Sequence, residues 1–417
     1  MAVSPWDVVV VGAGAAGLLA AIRAAELARR TLLVEKNRRP GVKILMSGGT
    51  RCNLTHATDN RGIVEAFGPP GRFLHSSLAA LSVQDTIDLF ESEGVSTKVE
   101  ATGKVFPVSN KAGDVLAALL RRLGRSGATL TRGEPVRDLR WVDVGASGTF
   151  ALTTPQRVLS ARRVVLTTGG QSYPGSGTTG DGYGISAGFG HTIVAPRPAL
   201  VPLQVDAAWA GSLRGVSLPD VALRVLEGER VLAHARGSML FAHFGLTGPV
   251  VLDISRAVTR HARPASLRLE CDLLPEQAEL ELDAWLRAES AAWGRKHLAG
   301  LLAARLPHRL CDVLVTLAGM PADRRAAALS RRERAELVLV LKQLRLPIVG
   351  ALGFEKAEVT SGGLALDEID SRSMESKRRP GLYLAGEILD LDGPIGGYNF
   401  QAAFSTGWLA GTAAARP

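Results

Sequence analysis

The chain has only three cysteines in 417 residues, Cys52, Cys271 and Cys311. None stands in a CxxC pair or at metal-ligand spacing, so no disulfide framework, dithiol relay or metal site is predicted. That usage fits a reducing compartment, and a cytoplasmic location is expected. Long apolar runs are also missing. The stretch from Val8 to Ile22 lacks a positive leader, carries Asp7 at its mouth and is broken by glycines. It therefore reads as a strand and helix rather than a signal peptide, and no run approaches a membrane span. Acidic residues are in deficit, 40 against 49 Lys and Arg, which gives a formal charge of +9. The basic residues are scattered in short pairs such as Arg29-Arg30, Arg162-Arg163 and Arg331-Arg332. A nucleic-acid footprint concentrates in one stripe, so solvated surface is expected and a nucleic-acid partner is not.

What is present is an ordinary globular composition, 46% hydrophobic and 21% charged, with length for two or three domains. The apolar run Asp7–Val11 predicts a buried parallel strand. It feeds Gly12-x-Gly14-x-x-Gly17, and Glu35 ends the next strand 18 residues after Gly17. Strand, glycine turn and helix start together lay a pyrophosphate on a helix N-terminus, while the acidic residue accepts ribose hydroxyls.

Three further blocks point to the same ligand. Gly41–His56 is a glycine-rich loop with Lys43 and Arg51 for positive charge and Ser47, Gly48 and Gly49 for backbone N–H groups. Separate strands are expected over Val158–Leu159 and Val164–Thr168, and the second ends in Thr167-Thr168-Gly169-Gly170, letting the chain cross close to a dinucleotide. Near the C-terminus, Gly381–Glu387 repeats the strand-to-glycine pattern, and a helix begins at Gly397-Tyr398-Asn399-Phe400. A cofactor site completed by both ends of the chain suits a long, two-ended cofactor, FAD. The helix start near Tyr398 would stabilise an anionic reduced flavin.

The expected fold is α/β, one Rossmann-type cofactor domain interrupted by an inserted module, part β and part helical. The expected boundaries are 1–195 and 351–417 for the cofactor domain and 196–350 for the insert, strand-rich over 196–274 and helical over 275–345. Helices are expected over Leu78–Ser92 and Asp114–Leu123, and Pro275 and Pro321 read as first-turn helix prolines.

With these blocks in hand, the chain resembles the YhiN/BaiN-like, or aminoacetone-oxidase-like, FAD-binding flavoprotein family. The resemblance rests on the N-terminal fingerprint, Lys43–Asn53, Gly103-Lys104-Val105-Phe106-Pro107 and Gly169–Pro174. It continues through Phe244–Pro249, Val359–Leu364 and Gly396-Gly397-Tyr398-Asn399-Phe400-Gln401. Thr50 departs from it, standing where relatives often carry glycine, and so does Ala242, where threonine is common.

The resemblance implies a two-part FAD-binding Rossmann domain of glutathione-reductase type with a β-barrel-like and helical insert, and FAD contacts at Gly12, Gly14, Ala15, Gly17, Glu35 and Lys36. It implies further contacts at Lys43, Ser47, Gly48, Gly49, Arg51, Thr168, Gly169, Gly386, Glu387, Gly397, Asn399 and Phe400. By similarity, Val136 touches adenine through its backbone, on a strand beginning at Gly133. No catalytic residue is assigned; His56, Tyr173, His243 and Tyr398 are the candidate proton donors, and His243 reads as buried.

The expected reaction passes hydride from NADH or NADPH, bound transiently at the flavin face, to a small or steroid-like unsaturated substrate. No second GxGxxG follows a strand, so no separate nicotinamide domain is expected. The alternatives are an amine oxidase using oxygen, a flavin-dependent RNA-modifying or RNA-binding protein, and a non-catalytic flavin sensor.

Overall fold

The computed structural model describes residues 5–144, 147–327 and 329–416. Val8, Val9, Val10 and Val11 are all buried, so strand β1 (Trp6–Val11) must be covered on both faces. It lies at the centre of a parallel sheet. Beyond it on one side are β2 (Thr31–Glu35) and β3 (Thr129–Arg132), and on the other β4 (Val158–Leu166) and β5 (Leu382–Leu384). Val11 pairs with Val34 and with Leu166, and Leu166 with Leu384. The carboxyl ends of these strands therefore share one edge, where open α/β sheets bind their ligands. Where separate strands are expected at 158–159 and 164–168, the single strand β4 runs from Val158 to Leu166 and stops before Thr167. A hairpin of 138–144 and 147–153 pairs onto its side.

Helix α1 (Ala15–Glu26) follows β1, α2 (Val42–Thr50) follows β2, and α3 (Tyr398–Ala414) follows β5. Helices α1 and α3 lie side by side with almost no gap. A Cβ on Gly407 would sit 2.2 Å from the Ala16 carbonyl oxygen, and one on Gly411 2.3 Å from that of Ala20. The two contacts advance together along both helices, so the helices run parallel.

The expected helix over Leu78–Ser92 is two helices, His75–Ala80 and Val83–Ser92. Ser82 and Asp85 exchange side-chain and backbone hydrogen bonds in a capping box, which starts a new helix there. Pro275 and Pro321 open no helix: the helices that follow begin at Glu279 and Arg331. The first-turn proline lies instead at Pro249, in a helix (Pro249–Thr259) within the stretch that read as strand.

Contacts divide the chain into two units, one running to Arg197 and resuming at Val359, the other Pro198–Glu358. The second unit is a closed barrel of six strands, 203–205, 245–247, 230–242, 217–227, 267–272 and 344–351 in spatial order. Four helices, 279–292, 298–302, 308–317 and 331–342, precede the last barrel strand, so barrel and helical segments interleave in sequence. An α/β Rossmann-type fold with a barrel and helices inserted is thus what the chain forms.

Within the first unit a polar cluster ties 191–192 to 368–378. Glu368 accepts from the Thr192 N–H at 2.8 Å, the Thr192 hydroxyl at 3.0 Å and Arg378 Nη2 at 2.7 Å. His191 Nε2 lies 2.7 Å from Ser376 Oγ. The Arg378 guanidinium and the Thr192 N–H hold the Glu368 carboxyl down at about 2. A carboxyl depressed on folding contributes stability above its unfolded pKa, near 4.3, that is lost as pH falls towards 2. Burial lowers the His191 pKa as well, so both groups disfavour acid. Arg378→Gln is expected to raise the acid-unfolding midpoint, followed by circular dichroism, by about half a pH unit.

Candidate functional site

The site is built on the shared carboxyl edge, beginning with the turn after β1. Gly12 has φ +100°, and a Cβ there would lie 2.6 Å from the Thr167 carbonyl oxygen. A Cβ on Gly17 would lie 1.8 Å from the Gly12 oxygen and 2.5 Å from Thr167 Oγ1. These two glycines let β1, α1 and the end of β4 meet. Gly14 differs, for its Cβ would have no atom within 4 Å. It leaves an open cradle over Ala15 and the first turn of α1, where free N–H groups and the helix dipole favour an anion.

Glu35 closes the far side of this turn. Its carboxylate is 6% exposed and accepts from the Ala13 N–H and the Asn37 N–H, both at 2.7 Å. A carboxylate so fixed keeps lone pairs for ribose hydroxyls. Beside it, Lys36 Nζ donates to Thr179 Oγ1 at 2.6 Å and to Asp181 Oδ2 at 2.5 Å. That bond joins the end of β2 to the loop after β4.

Val136 lies in an extended connector and not a strand, since β3 ends at Arg132 and the next strand starts at Asp138. The Glu134 N–H bonds the Glu35 carbonyl at 3.0 Å, which places the connector next to Glu35. Arg157 grips the Glu134 side chain through two bonds of 2.8 and 2.9 Å, fixing the connector from behind.

The glycine-rich loop expected after Gly41 is α2, kinked where Ser47 turns extended. Gly48, Gly49 and Thr50 then take φ +56°, +66° and +70°. A threonine in that conformation is strained, where a glycine would not be. Gly49, like Gly14, has clear space around its Cβ position.

Neither positive charge of this segment is bare. Arg51 Nη1 bonds Glu100 at 2.6 Å, with its guanidinium 3.9 Å over the Phe106 ring. Lys43 pairs with Glu387 and lies 2.5 Å from Ser172 Oγ. Glu387 also accepts from Ser172 Oγ at 2.5 Å and from the Thr360 N–H at 2.9 Å. Ser172 and Thr360 were given no role from sequence, although both lie in motifs singled out there. Their partner is more than 25 residues away in either case, so only the fold reveals the cluster.

After β4, Thr167 Oγ1 lies 2.9 Å from the carbonyl oxygens of both Val11 and Gly12. Thr168 Oγ1 is buried with no hydrogen-bond partner among the described residues, and so are Asn53 Oδ1 and Thr55 Oγ1. Gly169, at φ +74°, passes so close to Thr178 that a Cβ would meet it at 2.8 Å.

Gly386 packs against Ala16, and its N–H donates to Thr406 Oγ1 at 3.1 Å. Gly397, φ +97°, fits only because a Cβ there would strike the Thr55 carbonyl at 2.4 Å. The Asn399 side chain is spent on the Gly393 and Pro394 backbone at 2.8 to 3.2 Å, and the Phe400 ring packs on Phe404. What Gly397, Asn399 and Phe400 could present to a cofactor is therefore backbone N–H groups at the start of α3.

The two helix starts are offset. Ala16 is the second residue of α1, and its neighbour Gly407 is the tenth of α3. Helix α3 therefore projects about eight residues, or about 12 Å, beyond the start of α1. Two dipole ends of one sign, set apart along one direction, fit FAD, whose pyrophosphate and flavin carbonyl both draw N–H donors. The open cradle at Gly14, the Glu35 carboxylate and the orphaned Thr168 hydroxyl fit the same group.

Of the four candidate proton donors, two are pinned. The His56 ring lies with Nδ1 3.1 Å from the Gly396 oxygen and stacks on Tyr398 at 4.6 Å. Tyr173 is 38% exposed and left-handed at φ +52°. His243 is exposed, not buried as expected, because it occupies the tight turn between paired Ala242 and Gly245.

The cysteines take no part. All three are buried, and burial pushes the Cys52 and Cys311 thiols up to about 12 and Cys271 higher still. Ellman's reagent is expected to label no thiol in the folded protein and three after denaturation.

Among the described residues no helix is long and apolar enough to cross a membrane, and no His, Cys, Asp and Glu group could hold a metal ion. The HI0933-like protein Rossmann domain profile matches residues 6–413. The chain is 33% identical over 406 residues to a ribosomal RNA dihydrouridine synthase of Escherichia coli, covering 97% of this chain and 96% of the relative. It is 32% identical over 413 residues to a 3-dehydro-bile acid delta(4,6)-reductase of Clostridium scindens, covering 97% and 98%. The solved 3-ketosteroid delta1-dehydrogenase of Sterolibacterium denitrificans shares its fold at a TM-score of 0.52 and 15% identity, over 99% of this chain and 100% of that one. By these whole-length matches the chain belongs to the HI0933-like protein Rossmann domain family and is an FAD-binding oxidoreductase.

Proposed function

We propose that the protein reduces a carbon–carbon double bond conjugated to a carbonyl, that NADH or NADPH is the donor, and that the substrate is a uracil ring in ribosomal RNA. The carrying observation is that two whole-length relatives of nearly equal identity are named for different substrates, uridine in ribosomal RNA and an oxidised bile acid. Both names describe adding two hydrogens across a double bond next to a carbonyl. The sequence expectation set nucleic acid aside; the name of the E. coli relative and the +9 charge support it here.

When bound, the flavin supplies a two-electron carrier that takes hydride from the nicotinamide and yields it to the β-carbon of the conjugated bond, the α-carbon taking a proton. The chain's own contribution is positioning and electrostatics. The N–H groups at the start of α1 hold phosphate charge, Glu35 holds the ribose, and the start of α3 faces the charge that reduction creates. The proton comes from an exposed acid, and Tyr173 is the candidate in the cofactor unit. Its left-handed backbone is a strained feature of the kind that collects at functional sites.

The test is an anaerobic visible spectrum of the purified protein, before and after each nicotinamide. Unmodified ribosomal RNA transcript, or a 3-oxo-4,6-diene bile acid, is then added to the reduced protein. Reoxidation by the RNA, with a two-hydrogen mass gain in one uridine, is the expected result. Reoxidation by the bile acid alone would establish the second reading, which the C. scindens relative favours. Flavin that neither nicotinamide bleaches would overturn both.

A further inference from the structure

The scattered basic pairs of the sequence are not all scattered in space. Residues 287–334 hold ten Lys or Arg against four Asp or Glu. Segments 294–298 and 324–327 pair side by side there. The Leu298 N–H bonds the Arg324 carbonyl at 2.7 Å, the Ala326 N–H that of Lys296 at 2.9 Å and the Ala327 N–H that of Gly294 at 2.9 Å. Arg325 Nη1 reaches back to the Arg295 carbonyl at 2.5 Å. Glu333 clamps Arg324 at 2.8 and 3.1 Å, so the start of helix 331–342 is tied to the same place.

The result gathers Arg295, Lys296, Arg325, Arg331 and Arg332 on one exposed surface. The acidic groups of the neighbourhood do not cancel it. Glu333 is committed to Arg324 and to capping through the Ser330 N–H at 2.8 Å, which leaves Asp323, Glu289 and Glu336 against five cations. Beside them Trp293 is 52% exposed, with the Lys296 ammonium 4.2 Å over its ring.

No folding role accounts for this arrangement. Arg331 and Arg332 are the first two residues of their helix, where the dipole disfavours positive charge. A half-exposed indole among cations costs solvation and serves no core. Exposed cations paired with no carboxylate among the described residues, with an aromatic face among them, fit a polyanion carrying bases.

We infer that the basic surface of 293–297, 324–325 and 331–332 docks the phosphodiester backbone of RNA, with Trp293 offering a stacking face to an unpaired base. The inference rests on the RNA reading of the substrate and adds a surface on the inserted unit that would recognise the polymer apart from the reacting base.

The experiment measures binding of deproteinised ribosomal RNA to the flavin-loaded protein by fluorescence anisotropy across a salt series, for wild type and Arg331→Gln/Arg332→Gln. Removing cations from a helix start relieves the dipole, so this variant should fold at least as well as wild type. Arg295→Gln/Lys296→Gln is the second variant, its side chains being exposed. Each pair is expected to weaken binding about tenfold near 0.1 M salt and to flatten the slope of log affinity on log salt by about 1.4, two phosphate contacts' worth. Trp293→Ala should weaken binding with no change of slope. Nicotinamide bleaching of the flavin should be unchanged in all three.

Wild-type affinity and slope in both paired variants would overturn this surface while leaving the RNA reading intact. Failure of the wild type itself to bind RNA would overturn that reading, and the surface with it.

Discussion

Gly14→Ala is expected to fold normally and bind FAD weakly, whereas Gly17→Ala is expected to be strongly destabilised. The two glycines stand three residues apart in one motif, yet the space around them differs. A methyl on Gly17 would sit 1.8 Å from the Gly12 carbonyl oxygen and 2.5 Å from Thr167 Oγ1. Relief would require α1 to leave β1, where the core of the unit lies, at a cost of about 3 kcal/mol or more. A methyl on Gly14 meets no protein atom within 4 Å, and the backbone there, φ −83°, suits alanine. It would instead fill the cradle over the start of α1 that a phosphate must approach. Urea unfolding and the flavin absorbance of purified protein separate the two effects. Gly14→Ala should keep the wild-type midpoint and bind FAD at least about tenfold more weakly, or about 1.4 kcal/mol. Full flavin content in Gly14→Ala would mean that the pyrophosphate lies elsewhere.

The parts of this fold legible in sequence are those whose cause is local. The apolar run of β1, the spacing of the three glycines and the position of Glu35 each follow from a few neighbouring residues, and the structure brings them to one edge. The break at Ser82 was legible in principle, since Ser82 and Asp85 spell a capping box, but the apolar periodicity on both sides masked it. The single strand β4 was missed because Ser160, Arg162 and Arg163 interrupt its apolar residues, and tertiary pairing with β1 overrides that composition. What sequence could not give is which charges are already satisfied. Lys43 and Arg51 read as positive charge for the cofactor and Lys36 as a cofactor contact, and each has a carboxylate partner 49 or more residues away. The basic pairs near 295, 325 and 331 failed to register as a patch for the same reason, since strand-like pairing joins them across about thirty residues.

The Lys43–Glu387 pair decides how far that correction reaches into function. Glu387 takes the Lys43 ammonium on one oxygen and both the Ser172 hydroxyl and the Thr360 N–H on the other. Glu387→Gln cannot replace it, because an amide offers one acceptor and one donor end. If its oxygen faces Thr360, a fully buried residue, its NH2 faces Lys43; turned round, it sets donor against donor at Thr360. The expected cost is about 2–3 kcal/mol, read from urea midpoints, much of it from the stranded lysine. Adding Lys43→Met to Glu387→Gln should recover about 1–2 kcal/mol, since the stranded charge is then gone. The same cycle can be read in FAD affinity. If Lys43 serves chiefly to hold Glu387, the affinity lost in Lys43→Met should be no more than a few-fold, and the double variant should bind FAD better than Glu387→Gln alone. If Lys43 also meets a cofactor phosphate, Lys43→Met should cost at least about tenfold in affinity, and the double variant should be worse than either single one. The geometry favours the first outcome, because the ammonium lies between Glu387 and Ser172. Phosphate charge would then be met by the backbone N–H groups at the start of α1, which no side-chain substitution removes.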